Sequence, residues 1–357
     1  MTRIGFFTRL LDDTTPAERY RIATEQIVAA ERHGFDSAWV AQHHFHAAEG
    51  GLPSPFVFLA HAAAATSRIR LGTAVVTLPL EDPVRVAEDA VVADLLSGGR
   101  IELGVGSGST PASFLAFGQQ HEDRARVFGE KVDALVAALA GGALGDDRNR
   151  LHPDGRGLLG HLWQATFSAF GGTRAGRAGH GLLLSRTQPR PADAPRRTLS
   201  ELQLPIVDAY RESLPDGVPP RILASRTLFV ADSRDEARRC AELGLRRAAA
   251  GFARTGQPPV GESLDELIAS YDTHVGTVDE VVESLARDSV AAEATDVAFQ
   301  VHSVDPPHEL VLRSIELIAT EVAPALGWGA GARRAVGAGA RSVTAAAAAT
   351  ATALATE

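Results

Sequence analysis

The sequence GFDSAWVAQHHF, residues 34–45, joins the end of a helix to a short buried strand and that strand to a loop. The motif TPAE at 15–18 is a capping box that begins the helix, and Gly34 is placed to end it. The apolar run 37–40 predicts a strand, and His43 and His44 follow it. Side chains at successive extended positions point to opposite faces, so one imidazole can face a pocket while the other supports it. The stretch therefore predicts an α/β fold that carries chemistry where a strand ends.

Strand-like and helix-like patterns alternate along the rest of the chain. Eight apolar or β-branched runs predict strands at residues 3–8, 37–40, 69–76, 100–105, 162–167, 181–185, 222–230 and 296–302. Amphipathic segments predict helices at 53–66, 83–96, 122–139, 199–214, 235–247, 277–285 and 308–322. This alternation favours a closed (β/α)8 TIM barrel over an open doubly wound sheet. The barrel is predicted to occupy residues 1–328, and the Ala/Gly-rich residues 329–357 are predicted to form a disordered or loosely helical tail.

The composition excludes several classes of protein. A net charge of −9 over 357 residues argues against a nucleic-acid partner, which would need a basic face. The single cysteine, Cys240, leaves no internal disulfide and no cysteine-rich metal cage. Lys131 is the only lysine and lies on the polar side of its predicted helix, so Schiff-base chemistry is not expected. The chain shows neither a long apolar span nor a signal-peptide pattern, which predicts a cytoplasmic protein without a membrane partner.

In a barrel of this type the active centre lies at the carboxyl ends of the strands. The residues expected there are His43 and His44, Ala74-Val75, Gly106 and Ser107, Ser168, and Ser185-Arg186. Gly104, Gly106 and Gly108 alternate, which predicts a strand face without side chains that a flat ligand can approach. Ser168, followed by Gly171 and Gly172 at a helix start, offers a hydroxyl and free backbone amides to a phosphate. The glycines after the fourth strand are not a dinucleotide fingerprint, because residue 111 is proline.

Further motifs follow GFDSAW in a fixed order. They are HHF at 43–45, RLGTAV at 70–75, LP at 78–79, DPVR at 82–85, DLLSGGR at 94–100, GVG at 104–106, FG at 117–118 and VGT at 275–277. In these motifs, over residues 4–326, the chain resembles the bacterial luciferase-like flavin monooxygenases. The resemblance implies a barrel that binds reduced FMN, supplied by a separate flavin reductase, and uses O2 to oxidise a small organic substrate through a flavin 4a-hydroperoxide. Some relatives use the reduced deazaflavin coenzyme for hydride transfer instead.

The resemblance also implies roles for individual residues. His43 matches the family's catalytic histidine at the reactive edge of the flavin, where a near-neutral pKa would suit proton donation or acceptance, and His44 is its supporting neighbour. Ala74-Val75 matches the segment under the flavin ring, where relatives often hold a non-proline cis peptide. Ser168 matches a phosphate-binding serine, with Gly171 and Gly172 supplying amides.

Three positions depart from the family pattern. Gln42 stands where relatives frequently have glutamate, and Gly106 stands where luciferase has its reactive cysteine. Ser107 replaces a phosphate-binding arginine of luciferase, so Arg174 or Arg124 would have to compensate. The segment after the seventh strand is short, which predicts a more open or differently covered substrate pocket.

Two functions of other classes remain open, and so does the assembly. HFH at 44–46 is an H-x-H pair of the kind that holds zinc in barrel metallohydrolases, and His180 and His302 lie near the ends of other predicted strands. A non-catalytic flavin-binding subunit is the second alternative. The family resemblance implies pairing through helices 55–66 and 83–96, which makes a homodimer the default expectation.

Overall fold

The computed structural model describes residues 1–254, 258–301 and 306–329. Within these residues ten parallel strands form one sheet: β1 (Arg3–Thr8), β2 (Ser37–Val40), β3 (Arg70–Thr73), β4 (Val76–Thr77), β5 (Ile101–Gly106), β6 (Leu162–Ala165), β7 (Gly181–Leu184), β8 (Ile222–Val230), β9 (Thr273–Gly276) and β10 (Asp296–Gln300). Eight of them follow one another around a barrel, which closes because β10 pairs with both β8 and β1. The short strands β4 and β9 pair only with β5 and β8. The predicted (β/α)8 TIM barrel is confirmed.

The helices surround the barrel and connect successive strands. They are α1 (Pro16–His33), α2 (Pro55–Ala65), α3 (Pro83–Ser97), α4 (Pro111–Ala116), α5 (Arg124–Leu139), α6 (Ala169–Arg177), α7 (Leu199–Glu212), α8 (Arg234–Arg254), α9 (Leu264–Ser270), α10 (Val278–Ala286), α11 (Ser289–Glu293), α12 (His308–Leu317) and α13 (Ala323–Ala325). The first helix begins and ends as its sequence signals predict. Thr15 Oγ1 accepts a hydrogen bond from the Glu18 amide, and Gly34 ends the helix with φ +95°.

The structure differs from the sequence prediction in several short segments. The predicted strand 69–76 is divided into β3 and β4 at Ala74-Val75, whose peptide bond is cis. The predicted helix 308–322 consists of α12 and a wider helical turn at Ile318–Val322. The elements α4, α9, α11 and β9 had no sequence prediction, because segments of four to seven residues are too short for a clear periodicity.

The core has an outer and an inner layer. The outer layer packs the helices against the strands, and Phe6, Leu71 and Phe299 are among its fully buried members. The inner layer fills the barrel and contains Phe7, Trp39, Trp163, Leu183, Leu223 and Ala298. The rings of Trp39 and Trp163 meet edge to face with their centroids 5.7 Å apart. The middle layer of the barrel interior is therefore packed and apolar, and the buried Glu102 lies beneath it, where it accepts from Trp163 Nε1 at 2.7 Å.

No helix in the described ranges is long and apolar enough to cross a membrane. Two sequence predictions concern residues outside these ranges. They are the position of His302 after the last strand and the tail, of which the structure describes only Gly329.

Candidate active site at the carboxyl ends of the strands

An apolar cavity opens above the inner core at the carboxyl ends of the strands. Its walls come from β1, β2, β6, β7, β8, β10 and the cis segment, and they include Phe7, Trp39, Ala74, Val75, Leu183 and Ala298. Ser185 and Ser225 add two hydroxyl groups on the side of β7 and β8. The lining of the cavity is apolar with hydroxyl groups on one side, a composition typical of small-molecule sites.

The Ala74-Val75 segment lies between β2 and β5 and is held from both sides. The Ala74 amide donates to the Val40 carbonyl at 2.7 Å, and the Val75 carbonyl accepts from the Gln42 amide at 3.3 Å. A Cβ atom on Gly106 would lie 2.7 Å from Val75 Cγ2, and one on Gly104 would lie 2.0 Å from the Thr73 carbonyl oxygen. The missing side chains of the two glycines thus allow residues 73–75 to pack directly against β5. Atoms of Thr73 and Val75 occupy the space beside Gly104 and Gly106. The prediction that a flat ligand can approach this strand face is therefore wrong.

Gln42 fastens the loop that follows the cis segment. Its Oε1 accepts from the Thr77 amide at 2.7 Å, and its Nε2 donates to the Pro53 carbonyl at 3.2 Å and to Glu81 Oε1 at 2.6 Å. A glutamate at position 42 could not make the last two contacts, since a carboxylate has no proton to donate. Gln42, where relatives frequently have glutamate, is therefore suited to the carboxylate of Glu81, which needs a donor at this position.

His43 follows β2 and lies deep in the barrel mouth. Its ring Nδ1 is 3.9 Å from Glu49 Oε2, and about a quarter of its side chain, 24%, reaches solvent. Burial, together with the nearby charges of Arg9, His44 and Arg186, lowers the pKa of His43 to about 3. The expectation of a near-neutral pKa is therefore wrong. At neutral pH the ring is uncharged and has one N–H donor and one acceptor.

His44 points away from this pocket and packs against aromatic rings. Its centroid is 4.9 Å from Phe117 in an edge-to-face contact and 5.6 Å from Phe45. Only 8% of the residue is exposed, and its Nε2 has no hydrogen-bond partner within the described residues. Burial also lowers the pKa of His44, although Glu81 opposes this. The two histidines occupy different environments, as the alternation of side chains predicts.

The residues expected to hold a phosphate group lie after β5 and β6. Ser107 is half-buried directly after β5 and makes no hydrogen bond within the described residues. Ser168 caps α6, where its Oγ accepts from the Gly171 amide at 3.2 Å, and its carbonyl accepts from the Gly172 amide at 3.0 Å. Both glycine amides are therefore engaged. The amides of Ala169 and Phe170 have no partner within the described residues and are the ones free to bind an anion.

Gly171 and Gly172 also have a packing role. A Cβ on Gly171 would lie 2.0 Å from Thr166 Oγ1, and one on Gly172 would lie 2.6 Å from the Ile206 carbonyl oxygen of α7. The two glycines allow α6 to approach α7 and the end of β6. These two glycines are thus explained by helix packing, and their amides do not supply the predicted phosphate contacts.

The two arginines considered as replacements at position 107 differ in their surroundings. Arg174 lies 4.5 Å from the centroid of the Phe128 ring and donates through Nε to Gln164 Oε1 at 2.8 Å, on the outside of β6. Arg124 lies at the start of α5 and donates to the His121 carbonyl at 3.1 Å. Arg174 is therefore held by the packing between α5 and β6, whereas Arg124 lies on a connection above the strand ends.

Sequence reasoning missed polar residues that the barrel brings to the same mouth. Arg9 follows β1, Thr227 lies on β8, and Gln300 ends β10. Thr227 Oγ1 and Gln300 Oε1 accept hydrogen bonds from Arg186, at 3.1 and 2.6 Å. A charged residue directly after a predicted strand was the available signal for Arg9. Nothing local in the sequence distinguishes Thr227 or Gln300 from strand residues that face the core.

The histidines of the zinc alternative do not form a metal site within the described residues. His44 follows the carboxyl end of β2, whereas His180 precedes β7 at the opposite end of the barrel and contacts Gln164 Nε2 at 2.8 Å. Among residues 1–254, 258–301 and 306–329, no three His, Cys, Asp or Glu side chains group as a metal site. His44 and His180 cannot share one metal ion in this fold.

Comparison with known proteins agrees with this barrel. A family model described as luciferase-like monooxygenase matches residues 2–296. The 4-hydroxyprotoasukamycin monooxygenase of Streptomyces nodosus subsp. asukaensis is 34% identical over 313 residues, which cover 82% of this chain and 83% of that protein.

Solved structures resemble the chain along most of its length. The FMN complex of the oxygenating constituent of 3,6-diketocamphane monooxygenase from Pseudomonas putida has a TM-score of 0.71 at 20% identity, and covers 91% of this chain and 98% of that one. An F420-dependent secondary alcohol dehydrogenase, in complex with an F420-acetone adduct, has a TM-score of 0.65 at 18% identity, with coverages of 91% and 99%. At these identities the likeness shows the fold.

Proposed function

The chain belongs to the luciferase-like monooxygenase family, and on this premise we propose that it uses reduced FMN and O2 to oxidise a small organic substrate. The observation that carries the proposal is the apolar cavity at the strand ends, with Ala74-Val75 in its wall and with the uncharged His43 after β2 at the same end of the barrel. Relatives of this family are named as monooxygenases, which supports the reaction class.

The residues of this cavity fit a flavin. The apolar walls around Trp39 and Val75 suit the ring system, and the hydroxyl groups of Ser185 and Ser225 would hold its polar edge. The Ser168 hydroxyl and the free amides of Ala169 and Phe170 suit the phosphate, because a helix amino terminus attracts anions. Arg124 and the Ser107 hydroxyl are the further groups that we assign to the phosphate.

A bound reduced flavin would supply the electrons that activate O2. The role of this chain is to position the flavin and to keep water away from it. The apolar walls formed by Phe7, Trp39 and Val75 exclude water. His43 enters the reaction uncharged, so it accepts a proton at one ring nitrogen or holds one at the other. It does not begin the reaction as a cation.

Hydride transfer with a reduced deazaflavin coenzyme is the second candidate. It stays a candidate because Ser107 stands where luciferase has a phosphate-binding arginine, so this position does not select FMN. The chain also shares its fold with an F420-dependent secondary alcohol dehydrogenase, so a barrel of this type can carry hydride transfer. Both candidates place the ring of the cofactor in the same cavity.

The test is an anaerobic titration with reduced FMN and, in parallel, with the reduced deazaflavin coenzyme, followed by a pulse of oxygen. Tight binding of FMN, followed by a transient absorbance band different from that of oxidised FMN, is the expected result. Preferred binding of the deazaflavin would replace the proposal with hydride transfer. Binding of neither, by folded protein, would overturn both candidates.

The cavity assignment is tested by adding one methyl group. In G106A the new Cβ would lie 2.7 Å from Val75 Cγ2 and would push the 74–75 segment into the cavity, so we expect FMN affinity to fall about tenfold or more. The control is G129A on α5, where a Cβ meets nothing within 4 Å and alanine is the better helix former. Equal FMN affinity in G106A and G129A would contradict the placement.

Two partners complete the proposal. A separate reductase supplies the reduced flavin, as the resemblance to the luciferase-like monooxygenases implies. A second copy of the chain pairs through α2 and α3. The exposed apolar side chains on these helices support this assembly, and they include Val57, Val92, Leu95 and Leu96.

A further inference from the structure

Arg186 lies at the mouth of the barrel without a counter-charge. It lies two residues after the end of β7, and its neighbour Ser185 lines the apolar cavity. Its guanidinium donates from Nε to Gln300 Oε1 at 2.6 Å and from Nη1 to Thr227 Oγ1 at 3.1 Å. Both partners are neutral. Within the described residues no carboxylate lies at ion-pair distance from Arg186. Its Nη2 makes no hydrogen bond there.

This situation is unusual for an arginine that is half-buried in the mouth of a barrel. Guanidinium groups stay charged in proteins, and a buried charge normally has an opposite charge beside it. Burial lowers the pKa of Arg186 well below its usual value, and the charge of Arg9 adds to this effect. The acidic group on this side is Glu49, whose charge acts on Arg9; Thr110 also donates to it at 3.1 Å, and the His43 ring lies 3.9 Å away.

Other unpaired polar atoms surround the same place. Gln300 is fully buried and its Nε2 has no partner in the described part of the chain. Arg9 Nε and the Ser225 hydroxyl, also in the barrel mouth, are unpaired there too. Gln300 Nε2, Arg9 Nε and Arg186 Nη2 are all donors. Donors of this kind around an apolar cavity are complementary to an acceptor with negative charge.

We propose that Arg186, with Gln300 and Arg9, binds an acidic oxygen of the substrate, which is a carboxylate, phenolate or enolate attached to an apolar body. The apolar body would lie beside the cofactor ring, on the side of the cavity that Ser185 lines next to Arg186. This inference rests on the proposed function, because it names the class of substrate for the same site. It needs no residue that we assign to the phosphate of the cofactor.

Benzoate and benzamide are the probes, because they share one shape and differ in charge. Their binding to the flavin-free protein is measured by titration calorimetry and by ligand-observed NMR. We expect the wild type to prefer benzoate. In R186M this preference should be lost, with benzoate affinity lower by about tenfold or more. R148M is the matched control, since it removes one positive charge from a side chain that is 92% exposed.

FMN affinity, measured on the same variants, separates this inference from the proposed function. Unchanged FMN affinity with lost benzoate binding in R186M supports the substrate subsite. If R186M weakens FMN binding and leaves benzoate binding intact, Arg186 serves the cofactor and the inference is overturned. Benzoate binding that depends on Arg186 in a protein that binds no flavin would leave the subsite standing and remove the proposed function.

A carboxylate of the chain itself is the remaining alternative to a substrate oxygen as the partner of Arg186. Asp305 belongs to a segment outside the described residues, and D305N removes its charge without changing its size. Wild-type protein that fails to prefer benzoate, together with D305N that prefers it, would show that this aspartate is the partner of Arg186 and would overturn the inference. Circular dichroism and thermal unfolding confirm that each variant is folded.

Discussion

The His43 ring is held where protonation is unfavourable, and this has a measurable effect on stability. Its folded-state pKa, about 3, is below the ordinary value of 6.5, so between these limits the unfolded chain binds a proton that the folded chain does not. Stability contributed in this way is present above pH 6.5 and is lost as the pH falls toward 3. H43N should lose less stability than the wild type over this range.

Urea unfolding at several pH values between 3 and 7 measures this difference. His180, whose pKa burial lowers to about 4, acts in the same direction and remains in both proteins. The comparison between H43N and wild type therefore isolates His43. Equal slopes of unfolding free energy against pH in the two proteins would show that the His43 ring is not buried in the way described.

Gln42 and Glu81 form a second pair whose chemistry can be tested at the scale of single residues. Q42E would remove the donor to Glu81 Oε1, now 2.6 Å away, and would place two carboxylates together in a largely buried loop. We expect a loss of about 1–3 kcal/mol in unfolding free energy. E81Q in the Q42E background restores a donor and an acceptor, so the double variant should recover most of the loss in a double-mutant cycle.

At the scale of elements, local signals were enough for α1 and β2 but not for the mouth of the barrel. Thr15 and Gly34 determine the ends of α1 through contacts within a few residues, and the sequence therefore predicted them. Arg186 meets Gln300 only after the barrel has closed, so no local pattern could pair them. Gly172 looked like part of a phosphate loop, yet its missing side chain also makes room for α7.

A buried ion pair joins β8 to the start of α11 and stabilises the fold away from the cavity. Arg226 is fully buried, and its Nη2 donates to Asp288 Oδ1 at 3.1 Å, while Asp288 also accepts from Ser200 Oγ and from the Ala291 amide at the start of α11. Burial alone would raise the pKa of Asp288, but His274 and Arg226 outweigh it and hold this pKa well below its usual value.

We expect D288N to lose about 3–5 kcal/mol of unfolding free energy at neutral pH, because it leaves the Arg226 charge buried and unpaired. The Asp288 contribution is present above the unfolded pKa near 4 and is lost as the pH falls below it, so the difference between D288N and wild type should shrink in acid. The control D265N breaks an exposed pair with Arg238 and should change stability by less than about 1 kcal/mol. Chemical denaturation at pH 7 and pH 3 measures both.

At the scale of the whole molecule, the barrel places its cavity and its apolar outer surface on different parts of the chain. The cavity is formed by strand ends, whereas α2 and α3 pack side by side on the outside. Leu95 and Leu96 on α3 are 61% and 68% exposed, which is costly for two neighbouring leucines in a monomer. Pairing of two such surfaces by a two-fold axis would bury them without covering the mouth of the barrel.

The double variant L95D/L96D should therefore convert a dimer into a folded monomer, because it would place four carboxylates in one small interface. L243D is the control, since Leu243 is a similarly exposed leucine on α8, at 60%, outside the proposed interface. Sedimentation equilibrium at micromolar protein measures the mass of each protein. A wild type that is monomeric, or a double variant that stays dimeric, would contradict pairing through α3. If the cavity is complete in one chain, the monomer should bind FMN with the affinity of the dimer, so the same samples show whether assembly contributes to the site.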